Sequence, residues 1–246
     1  MRCDLDATID QAARQLIARW GRLPGQAVIF DFNGTLSNDE PLILRIYTEM
    51  FRERLGWDLT PEDYYGRLAG RSDREIIDAV MADVGGDERL ASQLLAERRT
   101  RYGEMVERQS PVLGPTARAV ADLASAGVPL GIVTGAQRAD VELVLSRTPL
   151  TGLFQVVVTE EDVLNGKPDP EGFHLASRTL GSDPGATLVF EDSLPGVQAA
   201  KAAGMLCIGV EGTLARAQLV TVADASVSAI VPELFGSLRQ FENDTT

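Results

Sequence analysis

The stretch Gln26-Ala27-Val28-Ile29-Phe30-Asp31-Phe32-Asn33-Gly34-Thr35-Leu36 decides how the rest of the chain is read. Its short apolar run closes on an acid and is followed by a glycine, the pattern of a strand buried on both faces of a parallel sheet. Comparable runs lie at residues 128–134, 155–158, 187–190 and 206–210, with a weaker one at 228–231. Helical spacing fills the intervals 116–126, 138–146, 170–180 and 196–203. The alternation predicts an α/β fold: a three-layer, doubly wound parallel sheet whose ligands sit beyond the carboxyl ends of its strands.

One interval breaks the alternation. Residues 41–112 hold no strand pattern but carry amphipathic helical spacing at 42–55, 61–68, 72–84 and 88–106. Ser110-Pro111 and Gly114-Pro115 close the interval. An insertion directly after the first strand lies over the ligand-binding edge, where a lid is useful. The expected organisation is therefore an N-terminal helix in residues 1–23, an α/β core at 24–40 and 113–246, and an inserted helical cap at 41–112. The first helix is expected over 5–22, with Ile9, Ala12, Ala13, Leu16, Ile17 and Trp20 on one face and Pro24-Gly25 as its stop.

Composition narrows the function classes. The chain of 246 residues is 44% hydrophobic and carries a formal net charge of -13, with no long apolar run and no basic tract. Such a chain repels nucleic acid and anionic membranes, so neither is expected as a partner. The acidic start, Met1-Arg2-Cys3-Asp4, does not resemble a secretory signal, and Cys3 and Cys207 offer neither a disulfide framework nor zinc spacing. A cytoplasmic location with reduced thiols is expected. The sequence carries no indication of oligomeric state. Lys167 and Lys201 are the only lysines among 23 basic residues, which marks both as candidates for work an arginine does poorly.

Four segments fall where an expected strand ends or a helix begins: Asp31–Leu36, Ile132-Val133-Thr134-Gly135, Gly166-Lys167-Pro168-Asp169-Pro170 and Phe190-Glu191-Asp192-Ser193. A parallel sheet brings all of them to one end. They combine the carboxylates of Asp31, Glu191 and Asp192 with the Thr134 hydroxyl, the Lys167 ammonium and free backbone amides. No core needs such a set, because buried carboxylates are costly unless paired or metal-bound. Oxygen-only donors select a hard cation, most naturally Mg²⁺, which also takes phosphate oxygens. Lys167 and the cation would keep Asp31 ionised as a nucleophile, while amides after Asp31 and at Thr134-Gly135 would cradle a phosphoryl group.

With these motifs in order, and with the run Glu191-Asp192-Ser193-Leu194-Pro195-Gly196-Val197-Gln198-Ala199-Ala200-Lys201-Ala202-Ala203-Gly204-Met205, the chain resembles the haloacid dehalogenase-like superfamily over residues 26 to about 235. The branch it resembles includes β-phosphoglucomutase and phosphonatase. The resemblance implies a phosphatase or phosphotransferase of a small phosphorylated metabolite, in which Asp31 forms an aspartyl-phosphate. It implies that Thr134 and Lys167 hold phosphoryl oxygens. The Asp31 carboxylate, the Asn33 carbonyl, Asp192 and Glu191, directly or through water, would ligate Mg²⁺. It also makes Leu68-Ala69-Gly70-Arg71-Ser72 a specificity loop, with Arg71 and Gly135 at the substrate.

The departure is Asn33. The family's phosphatases and mutases carry a second Asp there, as general acid and base, and an amide performs neither task. Loss of such a group costs ~10²–10⁴ in rate. Dehalogenases lack the metal-binding carboxylate pair, and phosphonatases need a cap lysine, whereas residues 41–112 contain none. A mutase needs proton transfer in both half-reactions. The open readings are a phosphatase with an acidic leaving group or a substitute base, a phosphotransferase, or a binding protein without turnover. Asn33-Gly34 is also prone to deamidation, which would create Asp at this position.

Other residues have plainer expectations. His174, Trp20 and Trp57 are expected to pack, Arg45 and Arg74 to be solvated, and Asp169 to cap the helix that starts at Pro170. Asp63-Tyr64-Tyr65 suits either helix packing or a cleft wall.

Overall fold

The computed structural model describes residues 11–236. The described part of the first helix is α1 (Gln11–Trp20); residues 5–10 of the expected helix, Cys3 and residues 237–246 of the expected core lie outside the described residues. The chain continues through β1 (Ala27–Phe30), the inserted helices α2 (Glu40–Leu55), α3 (Asp73–Val84) and α4 (Glu88–Arg108), then α5 (Gly114–Ser125) and β2 (Leu130–Val133). It closes with α6 (Arg138–Leu145), β3 (Val156–Val158), α7 (Glu171–Leu180), β4 (Thr187–Glu191), α8 (Leu194–Ala202), β5 (Leu206–Val210), α9 (Arg216–Val222) and β6 (Ala225–Val227).

The six strands form one parallel sheet in the order β3-β2-β1-β4-β5-β6. The chain winds outward from β1 through β2 to β3, then returns to β4 on the other side. The topological switch therefore lies between β1 and β4, where a crevice opens at the carboxyl ends. Alternation sorts the side chains. Val28, Phe30, Ile132, Leu188, Phe190 and Ile208 pack with α1, α5 and α6. Ile29, Val133, Val189 and Cys207 pack with Phe173 and Ala176 of α7 and with Val197 and Ala200 of α8. Both faces are covered, which is why the strands read as continuous apolar runs.

α1 is fastened to the first of these faces. Its Trp20 is fully buried and donates its indole N–H to the Ala186 carbonyl at 2.7 Å. No described helix is long and apolar enough to cross a membrane.

Two local expectations are corrected, and one helix was not foreseen. The last strand is Ala225–Val227, not 228–231. Asp224 sets this register: its amide donates to Cys207 O at 2.9 Å, and its carboxylate accepts from Cys207 N and from Lys201 at 2.8 and 2.7 Å. The more apolar Ile230 and Val231 instead lead into the turn Pro232–Phe235. Lys201 thus ties α8 to the sheet edge and is remote from the strand ends that carry Asp31. α9 went unforeseen because Leu219 alone anchors it, too little for a visible period. Residues 61–68 form one α-turn, Pro61–Asp63, followed by a π-helical stretch, Tyr64–Leu68. The wider turn places Tyr64 and Leu68 in the interior.

Candidate active site

Asp31 follows β1 directly, and its amide donates to Phe190 O of β4 at 2.9 Å, so the switch point itself places the carboxylate. Lys167 comes from the loop after β3. That loop is held by Glu171, whose carboxylate accepts the Leu164 and Asn165 amides at 3.1 and 3.0 Å, while Asp169 caps the helix start through the Glu171 amide at 2.9 Å. The Lys167 ammonium reaches Asp31 Oδ1 at 2.5 Å and Glu191 Oε1 at 2.6 Å. Glu191 is fully buried at the end of β4, its other oxygen accepting the Ser193 amide and hydroxyl at 2.7 and 2.9 Å. Gly196 makes room for it: a Cβ there would lie 1.6 Å from Glu191 Oε1. Asp192, also buried, accepts from Thr213 N at 3.2 Å and Thr213 Oγ1 at 2.5 Å.

Carboxylate oxygens of Asp31, Glu191 and Asp192 lie within 4.8 Å of one another. Burial pushes Asp31 up to about 7, Lys167 opposing and Glu191 adding to the shift. Burial, then Glu191 and Asp31, hold Asp192 well above the ordinary carboxylate range. For Lys167 burial acts against the charge, yet Asp31 and Glu191 outweigh it and raise the ammonium. Three buried acids against one ammonium leave an excess of negative charge at a donor set made only of oxygens. A hard divalent cation fits that deficit.

The expected site residues are brought together. Thr134 and Gly135 follow β2 and, with Asp31, Asn33, Arg71, Asp192 and Ser193, line a cavity of about 40 Å³. The Thr134 hydroxyl accepts the Ala136 amide at 3.0 Å. Of the amides after Asp31, those of Gly34, Thr35, Leu36 and Ser37 are used inside the turn, by Ser37 O and Phe32 O. A larger cavity of about 460 Å³ adjoins, bounded by Gly70, Ser72, Thr134, Gly135 and Lys167 among others. The loop before α3 seats on the core at two glycines. Gly70, at φ 81°, leaves no space for a side chain, since a Cβ would lie 2.7 Å from Ser193 Cβ. A Cβ on Gly135 would lie 3.4 Å from Ser72 N.

Asn33 is engaged rather than free. Its side-chain amide donates to Asp39 Oδ2 at 2.9 Å, and Tyr102 Oη donates to the same oxygen at 2.5 Å. Asp39 precedes α2 yet makes no side-chain cap. Glu40, the first residue of α2, is buried, lines the small cavity and receives the Tyr64 hydroxyl at 2.8 Å. Arg98 of α4 lies buried between Asp73, at 3.1 Å, and Asp140 of α6, and joins the insertion to the core. Asp39, Glu40, Tyr64, Arg98 and Tyr102 were not foreseen as one group. The acidic pair before Pro41 was the available signal, but it reads equally as an ordinary helix start. Residues expected only to pack do so: Trp20 is in the core, Trp57 lies against Phe51 with centroids 5.7 Å apart, and His174 is half-buried on α7.

A family model described as haloacid dehalogenase-like hydrolase matches residues 28–210. The chain belongs to that family. It is 31% identical over 76% of its length to validoxylamine A 7'-phosphate phosphatase of Streptomyces hygroscopicus subsp. limoneus, covering 86% of that protein. It is 32% identical over 85% of its length to a phosphorylated carbohydrates phosphatase of Thermotoga maritima, covering 95% of it. The structure superposes, at TM-score 0.74 and 28% identity, on a variant of CbbY from Rhodobacter sphaeroides in complex with xylulose-(1,5)bisphosphate, covering 83% of this chain and 94% of that one. The family match runs from β1 through β5 of this haloacid dehalogenase-like hydrolase; α1 lies before it, and α9 and β6 lie after it.

Proposed function

We propose that the chain is a Mg²⁺-dependent phosphatase acting on a small phosphorylated metabolite, with Asp31 as nucleophile. The observation that carries this reading is the Lys167 bridge between Asp31 and Glu191, with Asp31 and Asp192 on the wall of the small cavity and Lys167 on that of the larger one. Its three relatives above are named for, or hold, phosphorylated sugar-like compounds, which supports a substrate of that class.

In this reading Asp31 attacks phosphorus and forms an aspartyl-phosphate, which water then hydrolyses. Lys167 and Thr134 hold the phosphoryl oxygens, and Gly135 lets the substrate approach the backbone. Asp31, the Asn33 carbonyl, Glu191 and Asp192 hold Mg²⁺. Bound there, the cation offsets phosphoryl charge and polarises the phosphorus toward attack. The helices of residues 41–112 act as a cap, with Gly70 permitting contact and Arg71 presenting a cation to the substrate. A phosphometabolite-binding protein without turnover is the second reading, and the amide at Asn33 favours it.

The test is phosphate release from a panel of phosphorylated metabolites, with and without Mg²⁺. Release that requires Mg²⁺ supports the phosphatase. Tight phosphate binding with no release from any member supports the binding protein. Asp192→Ala should weaken Mg²⁺ binding measured by calorimetry, and unchanged affinity would remove Asp192 from the cation.

A further inference from the structure

Position 33 offers an amide where the reaction needs a proton carrier, so another group must fill that task if the phosphatase reading holds. The small cavity beside Asp31 is lined by four carboxyl residues, Asp31, Glu40, Asp73 and Asp192. Asp31 is the nucleophile and Asp192 belongs to the metal cluster. Asp73 is committed to Arg98 at 3.1 Å and to the Tyr47 hydroxyl at 2.6 Å. Asp39, immediately before Glu40 in the chain, is committed to Asn33 and Tyr102. Glu40 differs from these. It makes no ion pair with a described residue, and the one hydrogen bond to it comes from Tyr64, on Oε2. A glutamine would satisfy Tyr64 equally well, so packing gives no reason for an acid here.

We propose that Glu40 is the general acid and base of this site, supplying from the first turn of α2 the proton that Asn33 cannot. As Asp31 attacks, the phosphorus–oxygen bond to the leaving group breaks and Glu40 gives its proton to that oxygen, releasing the alcohol. Glu40, now a carboxylate, takes a proton from the water that attacks the aspartyl-phosphate. The bond from phosphorus to Asp31 breaks, inorganic phosphate leaves, and Glu40 is again protonated. The small cavity has room for such a water. The electrostatics agree: burial, and next the charge of Asp39, push Glu40 up to about 8, Asp31 adding to this while Tyr64 and Arg98 oppose it. The resting group is thus an acid at neutral pH, the form the first step needs. Tyr65 and Asp192 also face this charge.

The experiment uses nitrophenyl phosphate, phenyl phosphate and an alkyl phosphate with the full chain and Mg²⁺, intact mass having confirmed Asn at position 33. Wild type is expected to turn over all three with a shallow dependence on the leaving group. Glu40→Gln is expected to keep a stoichiometric burst with nitrophenyl phosphate, whose leaving group needs no proton. It is expected to lose ~10²–10⁴ in turnover of the alkyl ester. Adding Asn33→Asp to Glu40→Gln should restore at least about tenfold of that loss, which a merely structural defect would not allow. Active wild type with Glu40→Gln within about twofold of it on the alkyl ester overturns the assignment while leaving the phosphatase reading intact. Wild type with neither burst nor turnover overturns both. Should Glu40→Gln not fold, the wild-type series decides: a steep fall from nitrophenyl to alkyl phosphate overturns the assignment.

Discussion

The Lys167 ammonium sits between two buried carboxylates, 2.5 Å from Asp31 and 2.6 Å from Glu191. The gap between Asp31 and Glu191 is therefore sized for a compact cation. A guanidinium is planar and longer, and needs forked partners that this geometry does not provide. Lys167→Arg is expected to lose about 10²-fold or more in kcat/KM while circular dichroism remains native. Near-normal kinetics in Lys167→Arg would show that charge alone matters.

Gly70 and Gly56 separate backbone strain from docking. Both have positive φ, 81° and 64°, but a Cβ on Gly70 collides with Ser193 whereas one on Gly56 meets nothing within 4 Å. Each Gly→Ala change should cost about 1 kcal/mol of stability from the backbone alone. Only Gly70→Ala should also lower kcat/KM, by about tenfold or more, because it lifts the loop carrying Arg71 off the core. Equal activity in the two variants, measured beside their thermal midpoints, would rule out this contact as a determinant of turnover.

Arg98 is 2% exposed and faces Asp73 and Asp140, one from the insertion and one from the core. Removing the guanidinium leaves two buried carboxylates without their counter-ion. Arg98→Met should therefore destabilise by about 3–5 kcal/mol in urea denaturation. A loss below about 1 kcal/mol would mean that water reaches these acids.

Three strand ends were legible in the sequence because an apolar run stops on a polar residue of the candidate site: Phe30 before Asp31, Val133 before Thr134, Phe190 before Glu191. The contribution of the insertion was not legible. Arg98 lies in Glu97-Arg98-Arg99-Thr100-Arg101, where nothing distinguishes one buried arginine from its solvated neighbours. Tyr64 turns inward through a π-helical stretch that a period of 3.6 does not describe. Glu40 looks like an acid placed to favour a helix start, and only the fold brings it to the wall of the Asp31 cavity.

Glu160 faces Ser72, Asp73, Gln137 and Glu161 at the contact between insertion and core, and burial first, then Asp73, push it up to about 7. Because its folded-state value lies above the unfolded one, its favourable neutral form is fully retained at low pH. Stability is lost as pH rises from about 4.5 through 7. Glu160→Gln should leave the thermal midpoint unchanged near about pH 4 and raise stability near about pH 8 by ~1 kcal/mol, allowing for solvent screening. An equal effect at both pH values would exclude titration as its cause.

The central claim is that phosphate passes through a covalent bond to Asp31. The most direct measurement is rapid acid quench of wild type and Asp31→Asn with nitrophenyl phosphate and Mg²⁺, followed by peptide mass analysis alongside phosphate release. The account expects one phosphoryl group on the peptide containing Asp31 in wild type. It expects none in Asp31→Asn, which should fold normally and release no phosphate. Asp31→Asn retaining half or more of wild-type turnover, or a phosphoryl group found on another residue, would contradict it.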